Sequence, residues 1–400
     1  MCSGARIVAA ASSRLSLGRF FALAVCILGA VPAIAQVRPP ALPALRVSIA
    51  AAPEVVFDSR NGCDREDIPD IALRVFRRAD GQRVGFGSHY TTRTFMIDAD
   101  GSFRRDCALV LTSAKNPDPG RYDDRTWIAA TWTDDGKTVI ALGHNEFQGN
   151  QHWGTCAYRE YLQCWYNSIV LLKSVDAGRT FARIPGAMPI ANADFTHAER
   201  QGEPRGFFEP SNIIKKDGFF YTLIFTAGAG EQKRGTCLFR TKRLEVDSAW
   251  EYWTRSGFAP SARDPYRQKM PTTDPCQPLR NLRGPAWSIV RHRGTGLYLA
   301  SVGVQNPNMQ TGVIEISVSK DLLHWSAPVA VLNVPIIWSQ IRSDQRRYSY
   351  AALLDLTSAD RNFGDVGDRP QLYLSEIDIS GGNTTFNRRL IRYGLSLRLE

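Results

Sequence analysis

Beyond its first 35 residues the chain has no apolar run long enough to span a membrane, so no spanning helix is expected there. It also lacks any sustained 3.6-residue periodicity, which excludes a helical bundle. Its 49 Lys and Arg residues form no runs. That argues against a dedicated nucleic-acid surface, despite a net charge of +10, and the dispersed cations read as a solvated exterior. No Cys-x2-Cys pair is present to hold zinc, and His144, Glu146 and His152 have no metal-ligand spacing. A Gly-x-Ser-x-Gly elbow is missing, and the Gly-rich segment 228–236 has the wrong order for a phosphate loop. Neither a metal nor a cofactor is expected.

The N-terminus reads as a secretory signal over residues 1–35. Arg6, Arg14 and Arg19 precede an apolar run, and Ala33-Ile34-Ala35 before Gln36 forms a small-x-small cleavage site. A Pro-rich tether over 36–44 and a single domain over 45–400 follow. The mature protein is expected to be secreted or periplasmic, monomeric and free of the membrane. Cys63, Cys107, Cys156, Cys164, Cys237 and Cys276 remain after the signal, an even number that suggests disulfides in an exported chain. Cys156 and Cys164 close a short loop. Cys63 with Cys107 and Cys237 with Cys276 then follow by elimination, among several connectivities.

What the chain does have is short β-rich runs punctuated by Gly, Asn and Asp turns. A strand, a tight glycine turn and a second strand recur, with turns at Gly81, Gly136, Gly218 and Gly296 and a looser fifth copy over 348–379. The reading is all-β, a five-bladed β-propeller, with a six-bladed sialidase-like propeller as the alternative. The last unit is a strand short, and residues 45–57 are expected to supply it. Ser174-Val175-Asp176-Ala177-Gly178-Arg179-Thr180-Phe181 is a turn in which Asp176 can accept backbone N–H groups and Gly178 supplies a positive φ. This segment resembles the Asp box of sialidases and other propeller proteins, and Ser319-x-Asp321 to Trp325 is a degenerate equivalent.

In a propeller the start of each first strand and the end of each second strand open on the ligand face. Those places hold Asp70, Asp124, Glu209, Trp287 and Tyr350, and His89, His144, Asn145 and Glu146. Acids and amides suit sugar hydroxyls, and aromatic faces suit sugar C–H groups. A carbohydrate is the expected partner. Glu209-Pro210-Ser211, ahead of a strand, a Gly turn and an aromatic strand, resembles the general-acid segment of glycoside hydrolase family 43, although that family carries Glu-Gly-Pro. The resemblance implies Glu209 as general acid, Asp70 as general base and Asp124 as the carboxylate that tunes the acid. Such chemistry needs two carboxylates about 5–10 Å apart. A carbohydrate-binding propeller without catalysis is the second reading. A sialidase-type exoglycosidase, with Arg74, Arg291 and Arg369 as nominal carboxylate ligands, is the third.

Overall fold

The computed structural model describes residues 42–269, 274–306, 311–337 and 345–400. The signal over 1–35 and most of the tether lie outside the described residues. No helix among the described residues is long and apolar enough to cross a membrane.

Strand pairing divides the chain into five antiparallel units. The first runs through Arg74–Arg77, Arg83–Phe86, Thr92–Ile97 and Phe103–Leu111. The second takes Arg125–Trp132, Val139–Gln148, Trp165–Ser174 and Ala182–Arg183. In the third, Arg205–Phe208 and Ile214–Lys216 share the inner position against Phe219–Thr226, followed by Gly235–Thr241, Glu251–Thr254 and Gly257–Pro260. The fourth is Ala286–His292, Tyr298–Gln305, Gly312–Ser319 and Val329–Asn333. The fifth is Arg347–Leu354, Gln371–Ser380 and Asn383–Leu399. It is completed by Leu45–Ile49 and Glu54–Asp58 from the start of the domain, which supply the strand it lacked.

The units form a ring. Buried Arg74, in the first, donates to the carbonyls of Ala129, Pro210 and Trp287 in the next three, at 2.7, 3.0 and 2.7 Å. Ser301 Oγ ties the fourth to the fifth through Ala351 O (2.6 Å). The fifth returns to the first through Phe57 against Phe95 and Tyr373 against Phe103, with ring centres 5.2 and 5.7 Å apart. This is a five-bladed β-propeller, and the six-bladed alternative finds no sixth unit among the described residues. Middle strands are covered on both faces by neighbouring blades, so they are apolar nearly throughout: Gly312–Ser319 is buried at every residue. Outer strands such as Val329–Asn333 stay half-exposed.

The second and third blades share one ten-stranded sheet, because Arg205 and Gly206 pair in parallel with Tyr166 and Asn167. Only glycine fits there: a Cβ on Gly206 (φ 94°) would lie 1.9 Å from Asn167 O. The turns at Asp176 and Asp321 share one wiring. Ser174 Oγ accepts from Gly178 N (2.9 Å), and Asp176 Oδ1 accepts from Arg179 N and Thr180 N (3.1 and 2.9 Å). Ser319 Oγ accepts from Leu322 N (2.8 Å), and Asp321 Oδ1 accepts from Leu323 N and His324 N (2.9 and 2.8 Å). The three disulfides are Cys63–Cys107, Cys156–Cys164 and Cys237–Cys276, the pairing expected.

Candidate active site

Three acidic side chains from three blades share one electrostatic environment: Asp70, Glu146 and Glu209. Asp70 enters just ahead of the first blade. Its Oδ2 accepts from Trp127 Nε1 (3.2 Å), and its Oδ1 accepts from Tyr350 Oη (3.3 Å) and forms an ion pair with Arg388. His89 Nε2 stands 3.7 Å from Oδ2. An ionised carboxylate offers about four lone-pair sites, so roughly one remains for a water or a substrate hydroxyl.

Glu209 follows the strand Arg205–Phe208 and is buried. Its Oε2 accepts from Trp287 Nε1 at 2.5 Å. Burial pushes its carboxyl up to about 7, the Trp287 hydrogen bond opposes that, and nearby Asp70 adds to it. The Trp287 ring meets Tyr350 at 6.0 Å, and Tyr350 hydrogen-bonds Asp70. Trp287 and Tyr350 therefore link the two acids. Glu209 (φ 46°) and Tyr350 (φ 64°) both hold left-handed backbone, rare for residues with a Cβ and a form of strain that concentrates at functional sites.

Glu146 lies on Val139–Gln148, two residues from His144 and so on the same face of that strand. Gln148 Nε2 donates to its Oε2 (2.9 Å). Burial pushes Glu146 up to about 8, with Asp70 and Glu209 contributing in the same direction. Burial is the larger cause for Glu146 and Glu209, and the neighbouring acids add to it. His144 is driven down to about 4 by burial, is neutral at pH 7, and shares a 2.9 Å hydrogen bond with Asn167. Its ring sits among Trp127, Trp165 and Phe208, at 6.0, 6.5 and 5.9 Å.

Two expected residues are engaged otherwise. Asp124 is buried and bonded to Arg125 (2.7 Å) and the backbone N–H of Gln148 (2.8 Å), with His152 Nε2 3.1 Å away. It anchors the base of the loop clipped by Cys156–Cys164, and its partners are not those of Asp70 or Glu209. Asn145 alternates to the face opposite His144, where its amide donates to Arg125 O and Thr126 Oγ1, both at 3.1 Å. His89, His144, Glu146, Trp287 and Tyr350 gather with Asp70 and Glu209. Sequence reasoning missed Trp127, Trp165 and Arg388. The indole of Trp127, on the innermost strand of the second blade, was readable by the rule that singled out Trp287; Arg388 carried no local signal. The arginine set of the sialidase reading does not assemble: Arg74 is buried on backbone carbonyls, while Arg291 and Arg369 are exposed.

Concavity and acidity point to different places. A cavity of about 310 Å³ with mostly apolar walls lies beside Asn192, Phe207 and Tyr252 and includes none of the three acids. Bond cleavage requires proton donors and acceptors, so the acidic cluster is the better candidate.

No family model matches the chain, and no curated protein matches it. Among solved structures it is similar to an α-L-arabinanase of Cellvibrio cellulosa complexed with arabinohexaose, at 12% identity over 82% of this chain and 92% of that one, with a TM-score of 0.44. It is also similar to an endo-1,5-α-L-arabinanase of Thermotoga petrophila, at 9% identity over 82% and 71%, with a TM-score of 0.46. A thermostable family-43 glycoside hydrolase is similar at 10% identity over 82% and 91%, with a TM-score of 0.40. At these scores the likenesses decide nothing about the site, whose chemistry follows from its own residues.

Proposed function

We propose that this chain is an exported glycoside hydrolase that cleaves a glycosidic bond with Glu209 as proton donor and Asp70 as its opposing carboxylate. One observation carries the reading. Two acids from separate blades, Glu209 buried and Asp70 partly exposed, are joined through Trp287 and Tyr350, one holding its proton to about pH 7 and the other ion-paired to Arg388. A pair in unlike environments is what acid–base cleavage needs. Glu209 delivers its proton to the glycosidic oxygen as the C–O bond breaks. A water adds to the sugar carbon and its proton passes to Asp70. Glu146, rather than Asp124, shares the electrostatic environment of both acids, each of which raises it. The three disulfides fit an oxidising compartment outside the cytosol.

Glu209→Gln keeps the shape and the Trp287 contact but removes the transferable proton. Sugar release is expected to fall by about 10²–10⁴-fold with folding unchanged. Turnover within a few-fold of wild type would remove Glu209 from the mechanism.

A further inference from the structure

The acidic cluster accounts for bond cleavage; the rim around it bears on the charge of the ligand. Three cations far apart in sequence are parked on aromatic rings that lead towards the acidic cluster. The Arg65 guanidinium lies 5.0 Å from the ring centre of Phe386, which meets His89 at 6.2 Å, and His89 adjoins Asp70. Lys115 Nζ lies 5.3 Å over Tyr90, whose ring touches His89 and Trp127 at 4.2 and 5.6 Å. Arg234 lies 5.0 Å over Phe225, which leads through Phe208 (6.3 Å) to Trp165 (4.9 Å), a hydrogen-bond partner of Glu146.

All three cations are exposed, and none forms an ion pair or side-chain hydrogen bond among the described residues. Their neighbours differ. Arg125, also over Tyr90, pairs with Asp124 at 2.7 Å, and Arg205, over Phe195, pairs with Glu203 at 2.5 Å. A cation oriented by a ring and lacking a counter-ion keeps its charge for an incoming anion. Within the acidic cluster, Asp70 is paired with Arg388 and Arg74 lies near Glu209. The exposed aromatic rings Trp153, Tyr161, Phe195 and Phe386 offer sugar-stacking faces. Of these, Tyr161 and Phe386 touch residues beside the acidic cluster, at Trp165 and His89.

We infer that the ligand is an anionic polysaccharide, bearing carboxylate or sulfate groups that fall on Arg65, Lys115 and Arg234. The inference rests on the hydrolase reading of the same pit for its ligand class, and adds the charge.

The test uses the Glu209→Gln protein and three polymers: polygalacturonate, a sulfated galactan and neutral linear arabinan. Each is titrated calorimetrically at about 50 mM and about 500 mM salt. The expected result is an acidic polymer bound about tenfold or more tighter than arabinan, with that preference largely lost at high salt. The uronate and sulfate arms tell which anion is recognised. Arg65→Gln and Arg234→Gln should each weaken acidic binding about 3–10-fold with unchanged melting, and Arg65→Lys should restore most of it. Equal or tighter binding of arabinan, salt-insensitive binding, or binding of no polymer overturns the inference. Wild-type sugar release separates the two claims. An acidic polymer bound but not cleaved sinks the hydrolase reading alone, and arabinan cleaved without acidic binding sinks the charge alone.

Discussion

Glu209 and Glu146 set the pH behaviour at the scale of single residues. Each ordinarily titrates near 4.5 and is raised in the fold, to about 7 and about 8. Between those limits the folded protein holds protons that the unfolded chain has released. Their contribution to stability is therefore most favourable below pH 4.5 and declines as pH rises to about 8. Each carboxyl contributes on the order of 3–5 kcal/mol to that decline. Glu146→Gln is expected to flatten the loss of melting temperature between pH 5 and pH 8, as read by denaturation at several pH values. Catalysis follows the same sign, since a proton donor must be protonated. Sugar release should fall as pH rises through about 7, and Glu146→Gln should leave that limb near 7, because Glu146 is still protonated where Glu209 titrates. Asp124→Asn should leave the limb in place. A shifted limb in Asp124→Asn would restore the assignment made from sequence.

Within single elements, glycines and turns fix where these groups stand. Gly303, on Tyr298–Gln305, gives up its side-chain volume to the Trp287 indole: a Cβ there would lie 2.0 Å from the ring. Gly303→Ala must push the ring off Glu209, at an overpacking cost of about 1–3 kcal/mol. Because the Trp287 hydrogen bond lowers Glu209, its loss should move the alkaline limb of activity to higher pH as well as slow turnover. A purely structural defect would slow turnover without moving the limb. The Asp176 turn titrates in the opposite sense. Burial alone would raise Asp176, but hydrogen bonds from Ser174, Thr180 and Arg179 bring it down to about 2. Its contribution is full above pH 3.8 and is lost as pH falls through about 2. Asp176→Ala should cost about 1–2 kcal/mol at pH 7 and little at pH 2, measured by urea denaturation.

These elements were readable because their signals are local. The Asp176 turn, the Asp135-Gly136 hairpin and the apolar run Trp165–Ser174 each announce themselves within ten residues. Strand alternation would also have separated Asn145 from His144 and Glu146, since adjacent residues face opposite ways. Arg388 was not readable. It acts on Asp70 from 318 residues away, and no local pattern tells an arginine that reaches across blades from one that faces solvent. Asp124 shows the same limit: nothing in its local sequence tells that Arg125 and the Gln148 N–H engage it.

For the whole molecule, closure of the ring couples stability to the site. The strand Asn383–Leu399 pairs with Leu45–Ile49 and Glu54–Asp58, so the two ends of the domain meet in one blade. Phe57 from that early segment packs on Phe95 of the first blade. The same late strand carries Arg388, the ion-pair partner of Asp70, and its neighbour Arg389 faces Asp58 across the ladder. A variant beginning at Ser59 lacks both early strands. It is expected to lose the coincidence of its secondary- and tertiary-structure melting curves, as a ring opened between its fifth and first blades should unfold in stages. Sugar release should fall with it, because the strand that aims Arg388 loses its outer partner. Residues 42–58 added as a separate peptide can pair with the exposed edge by strand addition. Restored activity with that peptide, and none with a scrambled one, is the outcome closure demands. A variant as stable and active as the parent would show that the blades hold the acids in place without it.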